Sequence, residues 1–97
     1  MEESRLERKL KLEIEKRDGM ALKFVSPGKA GVPDRILMLP EGVAVFVEVK
    51  APGKKLRPLQ QKRAIELERL GFPVETVSSD AEVEGLLEKL FPLEFIK

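Results

Sequence analysis

The residues most able to do chemistry are two acids and a lysine beside the most hydrophobic run of the chain. Residues 43–47 (VAVFV) read as a buried β-strand because they are all apolar and mostly β-branched. Glu48 and Lys50 follow directly, and alternation along a strand places their side chains on one face. Asp34 begins the preceding apolar run. Pairing of the two strands would bring all three side chains together at one end of a small sheet.

These groups predict a metal site. Asp34, Glu48 and the backbone carbonyl of Val49 form an all-oxygen donor set suited to Mg²⁺ or Mn²⁺. A divalent ion there could polarise a phosphoryl oxygen and lower the pKa of a bound water, and Lys50 could orient that water or offset negative charge. The chain contains no histidine and no cysteine. Because this excludes histidine bases, Ser-His triads and thiolate zinc sites, metal-assisted hydrolysis is the strong chemistry that remains.

Length and composition bound the kind of protein. Ninety-seven residues predict one domain, residues 1–97, small enough for dimerisation to help its stability. No apolar run reaches the length of a membrane span, and charge begins at Glu2, so we expect neither a transmembrane helix nor a signal peptide. The lack of cysteine is compatible with a reducing compartment. We therefore expect a soluble, cytoplasmic protein without a membrane partner.

The charges are segregated along the chain although the net charge is only +1. No acid occurs between Val49 and Ile65, which predicts a basic surface beside the candidate site and a polyanionic substrate. Solvated helix faces are the other explanation of this pattern. Lys29, in the glycine-containing loop 26–31, is a further candidate for a phosphate contact, although the loop lacks P-loop spacing. The cations of the basic segment are Lys50, Lys54, Lys55, Arg57, Lys62 and Arg63.

A first helix is predicted over residues 2–18, ending at Gly19. Its apolar stripe falls on Leu6, Leu10 and Ile14. Glu3 and Glu7 lie on or beside this stripe, which would place carboxylates near the sheet. Alternatively, both acids belong to a solvated first turn, where they favour the helix dipole and pair with neighbouring cations.

Three strands are predicted next, over residues 20–26, 34–39 and 43–50. The short connection at residues 40–42 predicts that the second and third strands form an antiparallel hairpin. Asp34 begins one strand of this hairpin, whereas Glu48 and Lys50 end the other. The three side chains are therefore expected at its open end, away from the turn.

The rest of the chain predicts a crossover. A helix should run from Pro58 to about Leu70, followed by a strand at 73–77 and a helix at about 81–90 capped by Ser79 or Asp80. This strand-helix-strand succession indicates a mixed sheet. The tail, residues 91–97, is apolar enough to pack back on the domain or to cover a partner subunit. The apolar positions of the helix after Pro58 are Leu59, Ala64, Ile65, Leu67 and Leu70.

Three segments together resemble the VRR-Nuc (virus-type replication-repair nuclease) family of the PD-(D/E)XK superfamily: residues 31–34 (GVPD), 46–55 (FVEVKAPGKK) and 56–60 (LRPLQ). The resemblance covers nearly the whole chain, which looks like a small standalone phage member. Such members are similar in fold to archaeal Holliday junction resolvases. The resemblance implies an α/β fold with a restriction-endonuclease-like α-β-β-β-α-β core, its mixed central sheet flanked by helices. It also implies a Mg²⁺- or Mn²⁺-dependent endonuclease acting on branched DNA.

The resemblance also implies roles for individual residues. Asp34 and Glu48 would be metal ligands together with the carbonyl of Val49, and Lys50 would be the catalytic lysine. Gln60 would match the motif glutamine, which helps to position water or phosphate.

Two of these assignments keep an alternative. The family pattern includes a glutamate from the first helix, for which Glu3 is our first choice and Glu7 our second. Gln61 adjoins the motif glutamine and stays open as its replacement.

Three classes of function are compatible with these features. The leading hypothesis is a homodimeric junction resolvase in a bacterial or phage-infected cell, with a flap endonuclease as its close alternative. The second is a noncatalytic branched-DNA-binding module, and the third is a structural subunit that docks on a replication protein. Because a retired site has no physical reason to keep buried like charges, the intact acids and Lys50 favour an enzyme.

Overall fold

The described part of the chain, residues 2–92 of the computed structural model, forms three α-helices around one four-stranded sheet. A short 3-10 turn, Pro40–Gly42, joins the second strand to the third. No helix within these residues is long and apolar enough to cross a bilayer. In chain order the elements are α1 (Glu2–Lys16), β1 (Met20–Lys23), β2 (Arg35–Leu39), β3 (Val43–Val49), α2 (Pro58–Arg69), β4 (Val74–Val77) and α3 (Asp80–Leu90).

Helix α1 packs on the sheet through the predicted stripe. Leu6, Leu10 and Ile14 recur every four residues, lie on one side of the helix, and are buried in the core. The helix ends at Lys16, slightly earlier than expected, because Asp18 takes a left-handed conformation (φ 66°) that an α-helix cannot continue.

The predicted hairpin of β2 and β3 is confirmed. Arg35 lies opposite Val47 and Leu39 opposite Val43 in antiparallel register. Strand β1 pairs with the other side of β2 but ends at Lys23 rather than at residue 26. One further bond joins the amide of Phe24 to the carbonyl of Asp34 at 2.8 Å. Continued pairing would next require Pro33, which has no N–H to donate, so the ladder stops there.

The predicted crossover is also confirmed. Strand β4 pairs in parallel with β3, Glu48 lying opposite Thr76, which gives the strand order β1-β2-β3-β4 and a mixed sheet. Ser79 caps α3, since its hydroxyl oxygen accepts a hydrogen bond from the amide of Glu82 at 3.1 Å. Phe91 packs against the edge of the core. The other predicted contacts of the tail involve residues 93–97, which lie outside the described residues.

The two faces of the sheet differ in how they are covered. Alternate residues of β3, Val45, Val47 and Val49, join α1 and α3 in the buried core. Helix α2 begins at Pro58 and ends close to Leu70, as predicted, but its single buried residue is Gln60 rather than one of its apolar positions. Helix α2 contributes nothing to the core cluster of the described residues, and its apolar positions Leu59, Ile65 and Leu70 are all at least 43% exposed.

Gly31 lets the loop that leads to Asp34 pass close to α2. Its φ is +85°, and a Cβ there would lie 2.8 Å from both the Cγ and the carbonyl oxygen of Leu59. We expect Gly31→Ala to lower the free energy of unfolding by about 2–4 kcal/mol, because left-handed strain and overpacking add. Chemical denaturation measures this loss. Gly53→Ala is the matched control, since its φ is +82° and no atom lies within 4 Å. Equal losses in the two variants would contradict a role for the Leu59 contact.

Candidate active site

Asp34 and Glu48 meet at the open end of the β2–β3 hairpin. Asp34 lies one residue before β2, and continuing the register by one step places it opposite Glu48. The backbone carbonyl of Asp34 accepts from Phe24, which ties this position to β1 as well. The two carboxyl groups are within hydrogen-bonding reach of each other. The predicted convergence of these acids is therefore present in the structure.

Glu48 is a buried acid, only 3% exposed. Burial, together with the hydrogen bond and the charge of Asp34, raises the pKa of Glu48 to about 7, against a smaller opposing effect of Lys50. Its Oε1 atom is buried without a hydrogen-bond partner among the described residues. A carboxylate oxygen in that state is unfavourable unless another group supplies positive charge.

Lys50 supplies a cation at the same place. It lies one residue beyond β3, and its Nζ is 3.5 Å from Glu48 Oε2. The side chain is 14% exposed, so its ammonium is largely withdrawn from solvent. Its backbone amide donates to the carbonyl of Val77 at 2.9 Å, which fixes the lysine against β4. Glu48 and Lys50 therefore share one face, as strand alternation predicts.

Gln60 connects α2 to this site. Its amide Nε2 donates to Glu48 Oε2 at 3.3 Å, while its Oε1 accepts from the backbone amide of Arg57 at 2.9 Å. The side chain is only 9% exposed. Gln61, the alternative, is exposed, and its amide donates to the carbonyl of Leu56. The contact with Glu48 is therefore made by Gln60.

The profile of the VRR-NUC domain family matches residues 2–81. This chain belongs to the VRR-NUC family. It is 47% identical over 77 residues to "Putative nuclease p44" of Acyrthosiphon pisum secondary endosymbiont phage 1, covering 79% of this chain and 83% of that protein. A solved structure described as a VRR_NUC domain matches with a TM-score of 0.86 at 32% identity, covering 91% of this chain and 96% of that one. The expected family and fold are confirmed.

The residues of this VRR-NUC domain fit a divalent cation. Two adjacent carboxyl groups, one with an unpartnered buried oxygen, are hard donors of the kind that Mg²⁺ and Mn²⁺ prefer. Residues 2–92 contain no group of three or more acids suited to one ion. Mg²⁺ commonly uses one or two protein carboxylates and keeps several waters, so two acids are a sufficient protein contribution.

The first-helix acids do not join Asp34 and Glu48. Glu7 accepts from Arg35 Nε at 2.9 Å, and this pair is about 20% exposed on the face of the sheet that α1 covers. Glu3 is partly exposed and forms no three-acid group with Asp34 and Glu48. Its role as a ligand stays a prediction. The sequence does not single out Arg35, which directly follows Asp34 and whose side chain therefore lies on the opposite face of the sheet.

The predicted DNA-binding residues fall into two groups. Five of them are exposed. One of the five, Lys29, has its Nζ atom 3.9 Å from Oε1 of Glu66. Arg63 differs, since it donates to the carbonyl of Ala30 at 2.7 Å and to Glu66 at 2.8 Å and is 12% exposed. Arg63 therefore holds the 26–31 loop against α2. The exposed members are Lys29, Lys54, Lys55, Arg57 and Lys62.

Gln60 offers a test of how the carboxylate is held. We expect Gln60→Ala to lower the free energy of unfolding by about 1–2 kcal/mol, because two hydrogen bonds of a buried side chain are lost. If Glu48 holds a metal ion, cleavage should slow by about 10–100-fold, because groups that orient a metal ligand typically contribute that much. Gln61→Ala is the control and should change the free energy of unfolding by less than about 0.5 kcal/mol. Slower cleavage by Gln61→Ala than by Gln60→Ala would reverse the assignment.

Proposed function

We propose that this VRR-NUC nuclease is a metal-dependent endonuclease that hydrolyses phosphodiester bonds in branched DNA, in the manner of a Holliday junction resolvase. The observation that carries the proposal is the buried Glu48 carboxyl beside Asp34, with an unpartnered oxygen and the Lys50 ammonium 3.5 Å away. Lys50 offsets only part of the cost of burying this acid pair, and a bound divalent cation would offset more of it.

The proposed mechanism assigns each residue a part. Asp34 and Glu48 would hold Mg²⁺ or Mn²⁺, which when bound supplies Lewis acidity toward a phosphoryl oxygen and acidifies a coordinated water. Lys50 offsets the negative charge that develops on the phosphate while water attacks phosphorus and the bond from phosphorus to the leaving sugar oxygen breaks; that oxygen takes up a proton from solvent. Gln60 fixes the orientation of the Glu48 carboxyl through its amide. The carbonyl of Val49 and the carboxylate of Glu3 are proposed as further ligands.

A polyanionic substrate is supported by the segment that follows the site. Lys54, Lys55 and Arg57 lie between β3 and α2, and Lys62 lies in the second turn of α2. All four are exposed and make no ion pair within residues 2–92. Exposed cations in one segment attract the phosphates of DNA over a distance set by the salt concentration.

Cleavage assays test the proposal directly. The protein is incubated with a four-way junction, a flap, a duplex and single-stranded DNA, each in Mg²⁺, in Mn²⁺ and in EDTA. We expect junction cleavage in the metals and none in EDTA. Cleavage of flaps in preference to junctions would favour the flap endonuclease. Salt-sensitive junction binding without products in either metal would instead identify a noncatalytic module.

We also propose that the protein acts as a homodimer. Met20, Leu22 and Met38 share the face of β1 and β2 opposite the α1 core and are 42–56% exposed. Apolar side chains grouped in this way are typical of association surfaces. Light scattering coupled to size exclusion should give a mass of about twice the 10.9 kDa of one chain. A mass of one chain would refute the dimer without bearing on cleavage.

A further inference from the structure

A surface cleft of about 640 Å³ lies between α1 and the ends of β1 and β2. Four of its lining residues are cationic and a single one, Glu7, is acidic. None of these cations belongs to the basic segment that follows β3. The cations that line the cleft are Arg8, Lys11, Lys23 and Arg35.

The cleft lies at the same end of the sheet as the acid pair but on the other face. Arg35 directly follows Asp34, so strand alternation turns their side chains to opposite faces. Lys23 is the register partner of Arg35 and shares its face. The cleft and the candidate active site are therefore separated by little more than the thickness of the sheet at its open end.

The positive charge of the cleft is only partly neutralised within the protein. Glu7 forms an ion pair with Arg35, with 2.9 Å between Glu7 Oε1 and Arg35 Nε. Lys11 forms an exposed ion pair with Glu15, with 3.3 Å between Lys11 Nζ and Glu15 Oε2. Arg8 and Lys23 make no ion pair with any residue from 2 to 92. Lys23 lies directly across from Arg35, so two cationic side chains stand side by side with the single acid Glu7. The arrangement leaves Arg8 and Lys23 available to an external polyanion.

We propose that this cleft binds the phosphate backbone of a second arm of the branched DNA. The inference rests on the proposed function, because it takes branched DNA as the substrate. A straight duplex cut at Asp34 and Glu48 follows one face of the sheet, whereas a branch offers a second duplex to the opposite face. Arg8 and Lys23 contact its phosphates, which contributes affinity without reading sequence.

The test measures binding without cleavage. The full chain, wild type or carrying Arg8→Gln or Lys23→Gln, is titrated in EDTA into a labelled four-way junction and into a linear duplex as long as two of its arms. Each variant should bind the junction about 3- to 10-fold more weakly, and the slope of log K against log salt should fall by about 1. Affinity for the duplex should not change. Lys16→Gln, on the same helix but outside the cleft, is the matched control.

The outcomes separate this inference from the proposed function. If Arg8→Gln and Lys23→Gln bind the junction as tightly as Lys16→Gln does, the inference is wrong. Equal losses on the junction and the duplex would also overturn it, because the cleft would then serve a single duplex. Absence of cleavage by the wild type in Mg²⁺ and Mn²⁺ would refute the proposed function while these binding results stand. Arg8 and Lys23 are exposed, and thermal melts of the two variants check that both fold.

Discussion

Replacing Lys50 by alanine should slow cleavage of branched DNA by at least about 100-fold while leaving the protein folded. The expected size is that of removing one group that stabilises charge in a transition state. Lys50 fits this role because its ammonium lies 3.5 Å from Glu48 and its side chain is largely shielded from solvent. Electrostatic effects in such a shielded place are stronger than in water. Single-turnover cleavage of a four-way junction in Mg²⁺ measures the rate, and circular dichroism confirms the fold.

Two further variants sharpen this result. Lys54→Ala removes the same kind of charge from the exposed loop that follows β3, so it should weaken junction binding and change the single-turnover rate at saturating protein by less than about 10-fold. Asp34→Ala should abolish cleavage as Lys50→Ala does. If Lys50→Ala or Asp34→Ala cuts at the wild-type rate in Mg²⁺ or Mn²⁺, the site is assigned to the wrong residues.

The convergence of Asp34, Glu48 and Lys50 could be predicted because it depends on local rules. A three-residue connection at Pro40–Gly42 permits one antiparallel register, and alternation along β3 then decides which side chains share a face. Neither rule needs the rest of the molecule. For the same reason the mixed sheet, with a crossover from β3 to β4, could be predicted from the succession of elements, whereas the full strand order was not predicted.

The contacts between distant segments could not be predicted. Helical periodicity places Glu7 beside the apolar stripe of α1 but does not say which strand residue the helix will cross, and Arg35 is its partner. The apolar spacing of α2 predicts a packed face, yet the position that the helix buries is Gln60, because α2 lies apart from the core of α1 and α3. Arg63 cannot be told from exposed cations such as Lys62 by the sequence alone. Its hydrogen bond to the carbonyl of Ala30 depends on the position of the 26–31 loop in the folded protein.

Replacing Glu48 by glutamine should stabilise the metal-free protein at pH 8 by about 3 kcal/mol while abolishing cleavage. The pKa of Glu48 is raised to about 7 from an ordinary value of 4.5, so the folded state holds its proton more tightly than the unfolded state. Stability of the wild type should therefore fall as the pH rises from about 4.5 to about 7. Glutamine keeps a similar shape, stays neutral, and can still donate to Asp34 and accept from Gln60. Urea denaturation in EDTA at pH 5 and pH 8 measures the difference, which should be small at pH 5.

Glu13→Gln is the matched control with the opposite sign. Arg17 and Lys16 hold the pKa of Glu13 below its usual range, so its charge stabilises the folded state near neutral pH. This variant should be less stable than the wild type at pH 8, and the deficit should shrink as the pH falls through the lowered pKa.

Saturating Mg²⁺ in place of EDTA should stabilise the wild type but not Glu48→Gln, because ligand binding to the folded state alone raises its stability. A Glu48→Gln variant less stable than the wild type at pH 8 in EDTA would show that the acid pair is not strained. Glu48→Gln should therefore raise stability and abolish cleavage together. The two carboxylates that would bind the cation repel each other when no cation is bound, and this repulsion lowers the stability of the metal-free protein.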